Sequence, residues 1–187
     1  MAFGRFGRVS LSVVLLAVVL VVADIPAVAS AAVGSETHCV VRVVGERPDG
    51  EFVVTAATCF ATLAEALTFA SGGSVVFDAG LTGPGLLADE GGAAATVASF
   101  TLGVHFDGFN GSGSSISVVG SSCSGGYWNT GATWADRISS SWNGCYRLRH
   151  HVSSGGQGSG EDTYPAGSIH NLTWMNNLTR SISYWGS

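Results

Sequence analysis

Lysine is absent from this 187-residue chain, and charge of either sign is thin, with eight arginines against thirteen aspartates and glutamates. A net charge of −5 offers no electrostatic footprint for nucleic acid. Charged helix formers are scarce, which disfavours long solvent-facing helices. The local signatures of much enzyme chemistry are missing as well: Gly-x-Ser-x-Gly, His-Glu-x-x-His, a phosphate-cradling glycine loop and Gly-Asp-Ser-Gly-Gly do not occur. Val53 to Cys59 has the texture of a serine-protease histidine segment, but Thr58 stands at the histidine position and cannot serve as a general base. No Cys-x-x-Cys occurs, so a zinc-thiolate site accounts poorly for the four cysteines.

What is present begins with an address. Arg5 and Arg8 precede an apolar run from Leu11 to Ala23, broken only by Ser12 and followed by Asp24, Pro26 and small residues. That is the layout of a secretory signal peptide over residues 1–31, with cleavage expected after Ala31. An uncleaved anchor is the competing reading, yet the run is shorter than the roughly 20 residues a bilayer needs. Past residue 31 six arginines face twelve carboxylates, and no later run is long and apolar enough to span a membrane. The expected location is therefore secreted, or extracellular.

Four cysteines, Cys39, Cys59, Cys123 and Cys145, lie beyond the leader, and an even count in an exported chain predicts disulfides. Three pairings are open. The cysteines fall into two sequence-local groups, which favours Cys39 with Cys59 and Cys123 with Cys145. Each bridge would close a loop of about 20 residues and contribute about 3 kcal/mol in the chain-entropy picture.

Glycine, serine, threonine, valine and tryptophan are common, a mixture that predicts a mainly β protein of short strands and tight turns. Residues 32–78 read as a disulfide-tied hairpin and helix. Cys39 to Val44 and Glu51 to Val54 flank the turn sequence Arg47-Pro48-Asp49-Gly50, and Thr62-Leu63-Ala64-Glu65 has the form of a capping box ahead of helically spaced apolar residues that stop at Gly72-Gly73. Residues 79–98, rich in Ala, Gly, Leu and Thr with a small acidic step at Asp89-Glu90, read as a linker, with a helix from Leu86 to Val97 as the alternative. From Ser99 onward five β-prone runs follow: Thr101 to Phe106, Ser115 to Val119, Gly126 to Trp128, Cys145 to His151 and Ser181 to Trp185.

A faint internal repeat runs through residues 99–187. Phe106 and Gly113 correspond to His151 and Gly158, and the stretch Trp134 to Ser140 corresponds to Met175 to Ser181. Two Greek-key motifs forming one sandwich are the natural reading of such a repeat. At these residues the chain resembles the βγ-crystallin family, in particular its small secreted bacterial members, which include metalloproteinase inhibitors. The glycines Gly111, Gly113, Gly156 and Gly158 match the positions where each key folds over. The resemblance also implies paired calcium stretches, Ala135 to Ser140 and Asn176 to Ser181, whose oxygens suit a hard cation. Arg180 stands where the second stretch should carry a hydroxyl, and a guanidinium repels a cation. At best one weak calcium site is expected, from Asp136, the Arg137 carbonyl and Ser139; no other cofactor is expected.

The functional reading is a secreted, non-catalytic binding protein, an inhibitor of an extracellular (metallo)protease. The alternative is an envelope or extracellular module that binds carbohydrate or is structural, its calcium binding weak or lost. Neither involves nucleic acid, nor a membrane after leader cleavage. Among the five tryptophans, Trp128 and Trp142, with Tyr127, are the expected target contacts, on a loop braced by Cys123 and Cys145. His150-His151 is a poor metal pair, since adjacent strand residues point to opposite faces. Asp107, Glu161 and Asp162 are the carboxylates from which a glycosidase pair would have to be drawn.

Overall fold

A computed structural model of the chain describes Met1, residues 36–88 and residues 93–186. The expected leader with its cleavage site and the Asp89-Glu90 step lie outside the described residues. The chain is mainly β, in one sheet of seven strands and another of four. All described residues from Glu36 on belong to one compact unit, Ala32–Ser187.

The first segment folds as its local signals require. Strand β1 (His38–Glu46) turns through Arg47 to Gly50 and pairs with β2 (Phe52–Val54), Gly50 adopting the positive φ of +89° that the turn needs. β3 (Thr58–Phe60) then pairs with the start of β1, Cys39 opposite Cys59, and a disulfide joins those two residues. Helix α1 (Leu63–Ala70) starts at the Thr62 capping box, in which Thr62 accepts from the Glu65 N–H and Glu65 accepts from the Thr62 N–H. The positive-φ pair Gly72-Gly73 follows its last turn. Two further short helices, α2 (Gly85–Ala88) and α3 (Ala93–Ala98), occupy the stretch expected as a linker. Leu86 and Val97 are fully buried there, so part of this stretch is core lining; a short apolar helix that covers a sheet needs little periodicity to do so.

Eight strands follow: β4 (Thr101–Phe106), β5 (Ser115–Val119), β6 (Ser124–Asn129), β7 (Ser140–Asn143), β8 (Arg147–His151), β9 (Gly160–Thr163), β10 (Ile169–Asn171) and β11 (Ser181–Trp185), with a helical turn α4 (Gly131–Trp134) after β6. They divide into two runs of four, and each run sends its third strand into the other's sheet. The larger sheet reads β10-β7-β4-β5-β1-β2, with β3 also on β1, and the smaller β6-β11-β8-β9. β1 joins by parallel pairing with β5, His38 opposite Ser115, so the first segment extends the larger sheet.

Two apolar layers result. Between the sheets lie Ile116, Val118, Trp128, Leu148, Ile182 and Tyr184 among others. On the far face of the larger sheet α1, α2 and α3 bring Leu63, Leu67, Leu86 and Val97 onto Val104, Phe106 and Trp142. β4 and β5 are thus covered on both faces, and every residue in them is buried.

The expected contact residues are corrected by this packing. Trp142 is 0 % exposed, Trp128 4 % and Tyr127 9 %. The segment closed by the Cys123–Cys145 disulfide is not a projecting loop, because it contributes β6 to one sheet and β7 to the other. Large indoles at sheet centres are buried for their area, and sheet membership put them there.

Candidate functional site

Three hydrogen bonds occur at corresponding positions in the two halves of the expected repeat. Between β4 and β5 the chain folds over: Asp107 N–H donates to the Ser114 carbonyl, Gly111 N–H to Ser140 Oγ, and Ser140 Oγ–H to the Gly108 carbonyl. Between β8 and β9 the same bonds recur, from Val152 N–H to the Ser159 carbonyl, Gly156 N–H to Ser181 Oγ, and Ser181 Oγ–H to the Ser153 carbonyl. The φ angles repeat too: Asn110, Gly111 and Gly113 are at +56°, +73° and +78°, and Gly155, Gly156 and Gly158 at +81°, +66° and +82°. Gly113 is favoured by its positive φ, and a side chain there would also have to displace the Asp107 carboxylate.

The two fold-overs differ at the tip. The first carries Phe109, 48 % exposed, where the second carries Ser154. Its backbone is held from three sides. Ser112 N–H and Oγ–H both donate to the Phe109 carbonyl, Gly108 N–H donates to the Ser112 carbonyl, and Asn110 exchanges bonds with the Asn171 amide of β10 at 2.6 and 2.7 Å. A rigid turn therefore offers one large apolar side chain to solvent. Phe109 escaped the sequence reading, although a lone aromatic inside Asp107-Gly108-Phe109-Asn110-Gly111-Ser112-Gly113 was a usable signal, since such a turn has no room to bury it.

Of the expected calcium oxygens, those of Asp136 and Ser139 have different hydrogen-bond partners. The exchange of strands makes each stretch lend a residue to the other, shown by Asp136 N–H donating to the Thr179 carbonyl and Asn177 N–H to the Ile138 carbonyl. Ser139 Oγ–H consequently donates to Asn177 Oδ1 at 3.3 Å, whereas the Asp136 carboxylate takes a two-pronged bond from Arg180, Nη2 to Oδ2 at 2.8 Å and Nε to both oxygens at 3.1 Å. The Arg137 side chain turns elsewhere, onto Asp107 at 2.8 Å and over the Trp134 ring at 4.8 Å. Asp136 and Ser139 thus face different partners, and the guanidinium of Arg180 holds the charge that a cation would bring to Asp136.

The other two carboxylates considered for a glycosidase pair beside Asp107 are engaged internally. Glu161 accepts from Thr173 N–H, Thr173 Oγ–H and Met175 N–H, and Asp162 pairs with Arg149 at 3.1 Å. The basic cluster is divided the same way: Arg147 lies over Trp185 at 4.3 Å, and His150 and His151 are buried. One serine-histidine pair deserves its geometry, His38 Nδ1 against Ser115 Oγ at 2.9 Å with Glu36 3.9 Å from Nε2. Desolvation lowers the His38 pKa, with Glu36 and Asp107 opposing. Ser115 is wholly buried, so its hydroxyl meets no substrate in this arrangement. Among the described residues no helix is long and apolar enough to cross a membrane, and no three His, Cys, Asp or Glu side chains gather as a metal-holding group.

No family model, curated protein or solved structure matches this chain.

Proposed function

We propose that this chain is an exported, non-catalytic binding protein of βγ-crystallin-like build, acting by contact on an extracellular protease. The exchanged third strands and the repeated fold-over bonds support the two-Greek-key reading. Two disulfides fit an extracellular protein. The observation that carries the functional reading is Phe109, an exposed aromatic on a turn already locked by hydrogen bonds to β7 and β10. Such a side chain enters a partner's apolar pocket with little ordering cost, the condition under which a small surface binds tightly.

The test is a panel of metallo- and serine proteases assayed with the purified exported protein. At least one is expected to be slowed at micromolar concentration, and Phe109→Ala to weaken that inhibition by at least tenfold while leaving the melting temperature within a few degrees of wild type. A panel without any slowed member removes the proposal. Retention on insoluble cell-wall polymers in its place would favour the carbohydrate-binding module.

The Asp136–Arg180 pair carries the matching expectation about calcium. Replacing the guanidinium by a hydroxyl, Arg180→Ser, frees the Asp136 carboxylate and restores a hydroxyl at the position where the resembled calcium stretch carries one. Added calcium is expected to raise the melting temperature of Arg180→Ser more than that of wild type, and equal responses would show that the arginine does not block the cation.

A further inference from the structure

A cavity of about 770 Å³ lies along α1, and no residue of the Phe109 turn lines it. Its walls are Phe60, Phe69, Val76 and Phe77, with Glu65 near the start of the helix and Arg42 near its end. Phe60 and Phe69 pack with centroids 5.2 Å apart, yet Phe69 remains 45 % exposed and Val76 83 %. Apolar groups left in water around a concavity mark a binding surface.

The charges within the groove decide what it takes. Glu65 is committed, because its carboxylate closes the capping box on Thr62. Arg42 is positioned but not neutralised. One of its amino groups donates to the Ala70 carbonyl at 3.0 Å, which holds the guanidinium beside the last turn of α1. Among the described residues no carboxylate lies within salt-bridge distance of it. Its full positive charge outweighs the partial negative charge, at most about half a unit, of the carbonyls at the helix end. We infer that this groove is a binding site for a small amphiphilic carboxylate, its acid group on Arg42 and its hydrocarbon body between Phe60, Phe69 and Phe77. A planar guanidinium with free donors suits a carboxylate, and the volume falls in the range of small-molecule sites, roughly 300–1,000 Å³.

The probes are 1-anilinonaphthalene-8-sulfonate and decanoate, with decanol as the uncharged control, added to the disulfide-intact exported protein. The sulfonate dye should bind saturably at one equivalent, and decanoate should displace it at least tenfold more effectively than decanol. Arg42→Gln should remove that preference and leave decanol unchanged, whereas Arg42→Lys, which keeps the charge, should retain most of it. Phe69→Ala, at an exposed position, should weaken both ligands, and melting curves of each variant establish that it is folded. Equal displacement by decanoate and decanol, or a preference that survives in folded Arg42→Gln, overturns the inference. A concentration-dependent dimer that Phe69→Ala dissolves overturns it as well, by giving the groove to a second copy of the chain.

Discussion

Acidification from pH 7 to pH 4 is expected to unfold much of this protein, and His150 is the main reason. Its ring is fully buried, and neither nitrogen finds a hydrogen-bond partner among the described residues. Desolvation, with smaller contributions from His151 and His170, pushes its pKa down from 6.5 to about 3. His105, edge-on to it with centroids 5.8 Å apart, is lowered well below 6.5 for the same reason, its nitrogens being occupied by Ser141 Oγ and Tyr184 OH. The unfolded chain takes up these protons near pH 6.5 and the folded one does not. Stability is therefore complete above pH 6.5 and falls as the pH drops toward 3, by about 1.4 kcal/mol per pH unit for each such histidine. Across the full 3.5 units His150 alone amounts to a loss on the order of 5 kcal/mol, comparable with the total stability of many domains. Denaturant melts at pH 7, 6 and 5 check this above the range in which most carboxylates titrate. His150→Leu should flatten the curve, and a wild-type midpoint that does not move between pH 7 and 5 would exclude the effect.

Trp142→Ala should be the most damaging single truncation among the aromatic residues. The indole is fully buried in β7 between the sheet and the helical layer, among Val104, Phe106, Leu63 and Leu67. Removing it leaves a cavity that rigid neighbours on a sheet cannot close, a loss of about 3–5 kcal/mol. At roughly 2–4 °C per kcal/mol for a unit of this size, the melting temperature should fall by roughly 6–20 °C. Trp142→Phe should be much milder, because the indole N–H has no hydrogen-bond partner among the described residues, so its removal relieves an unsatisfied donor. Trp174→Ala, half exposed, should change stability by less than about 0.5 kcal/mol. Similar effects at Trp142 and Trp174, by calorimetry, would contradict the packing described above.

These contrasts also mark where sequence reading stopped. Local signals were legible: the turn at Gly50, the Thr62 capping box and the runs that became β4, β5 and β11 were all readable over a handful of residues. The short polar strands β7, β9 and β10 were not, since Ser140-Ser141-Trp142-Asn143 or Gly160-Glu161-Asp162-Thr163 has no alternation to separate it from a turn. The five tryptophans could be counted but not sorted into core and surface. The Asp136–Arg180 bond was likewise hidden, because two stretches 41 residues apart in corresponding position exchange partners only after β6 and β10 have crossed to opposite sheets.

The amino-acid sequence alone determined the mainly β character, the cysteine partners, the capped helix and the doubled fold-over turns, because each depends on steric preferences and hydrogen bonds spanning a few residues or on an entropy set by loop length. Tertiary structure alone decided that β1 would extend the larger sheet through β5, that Trp128 and Trp142 would be core while Phe109 would face solvent, and that Arg180 would neutralise Asp136. Those outcomes depend on which faces are covered and which strand edges meet across dozens of residues, and burial acts on surface area without reference to order along the chain.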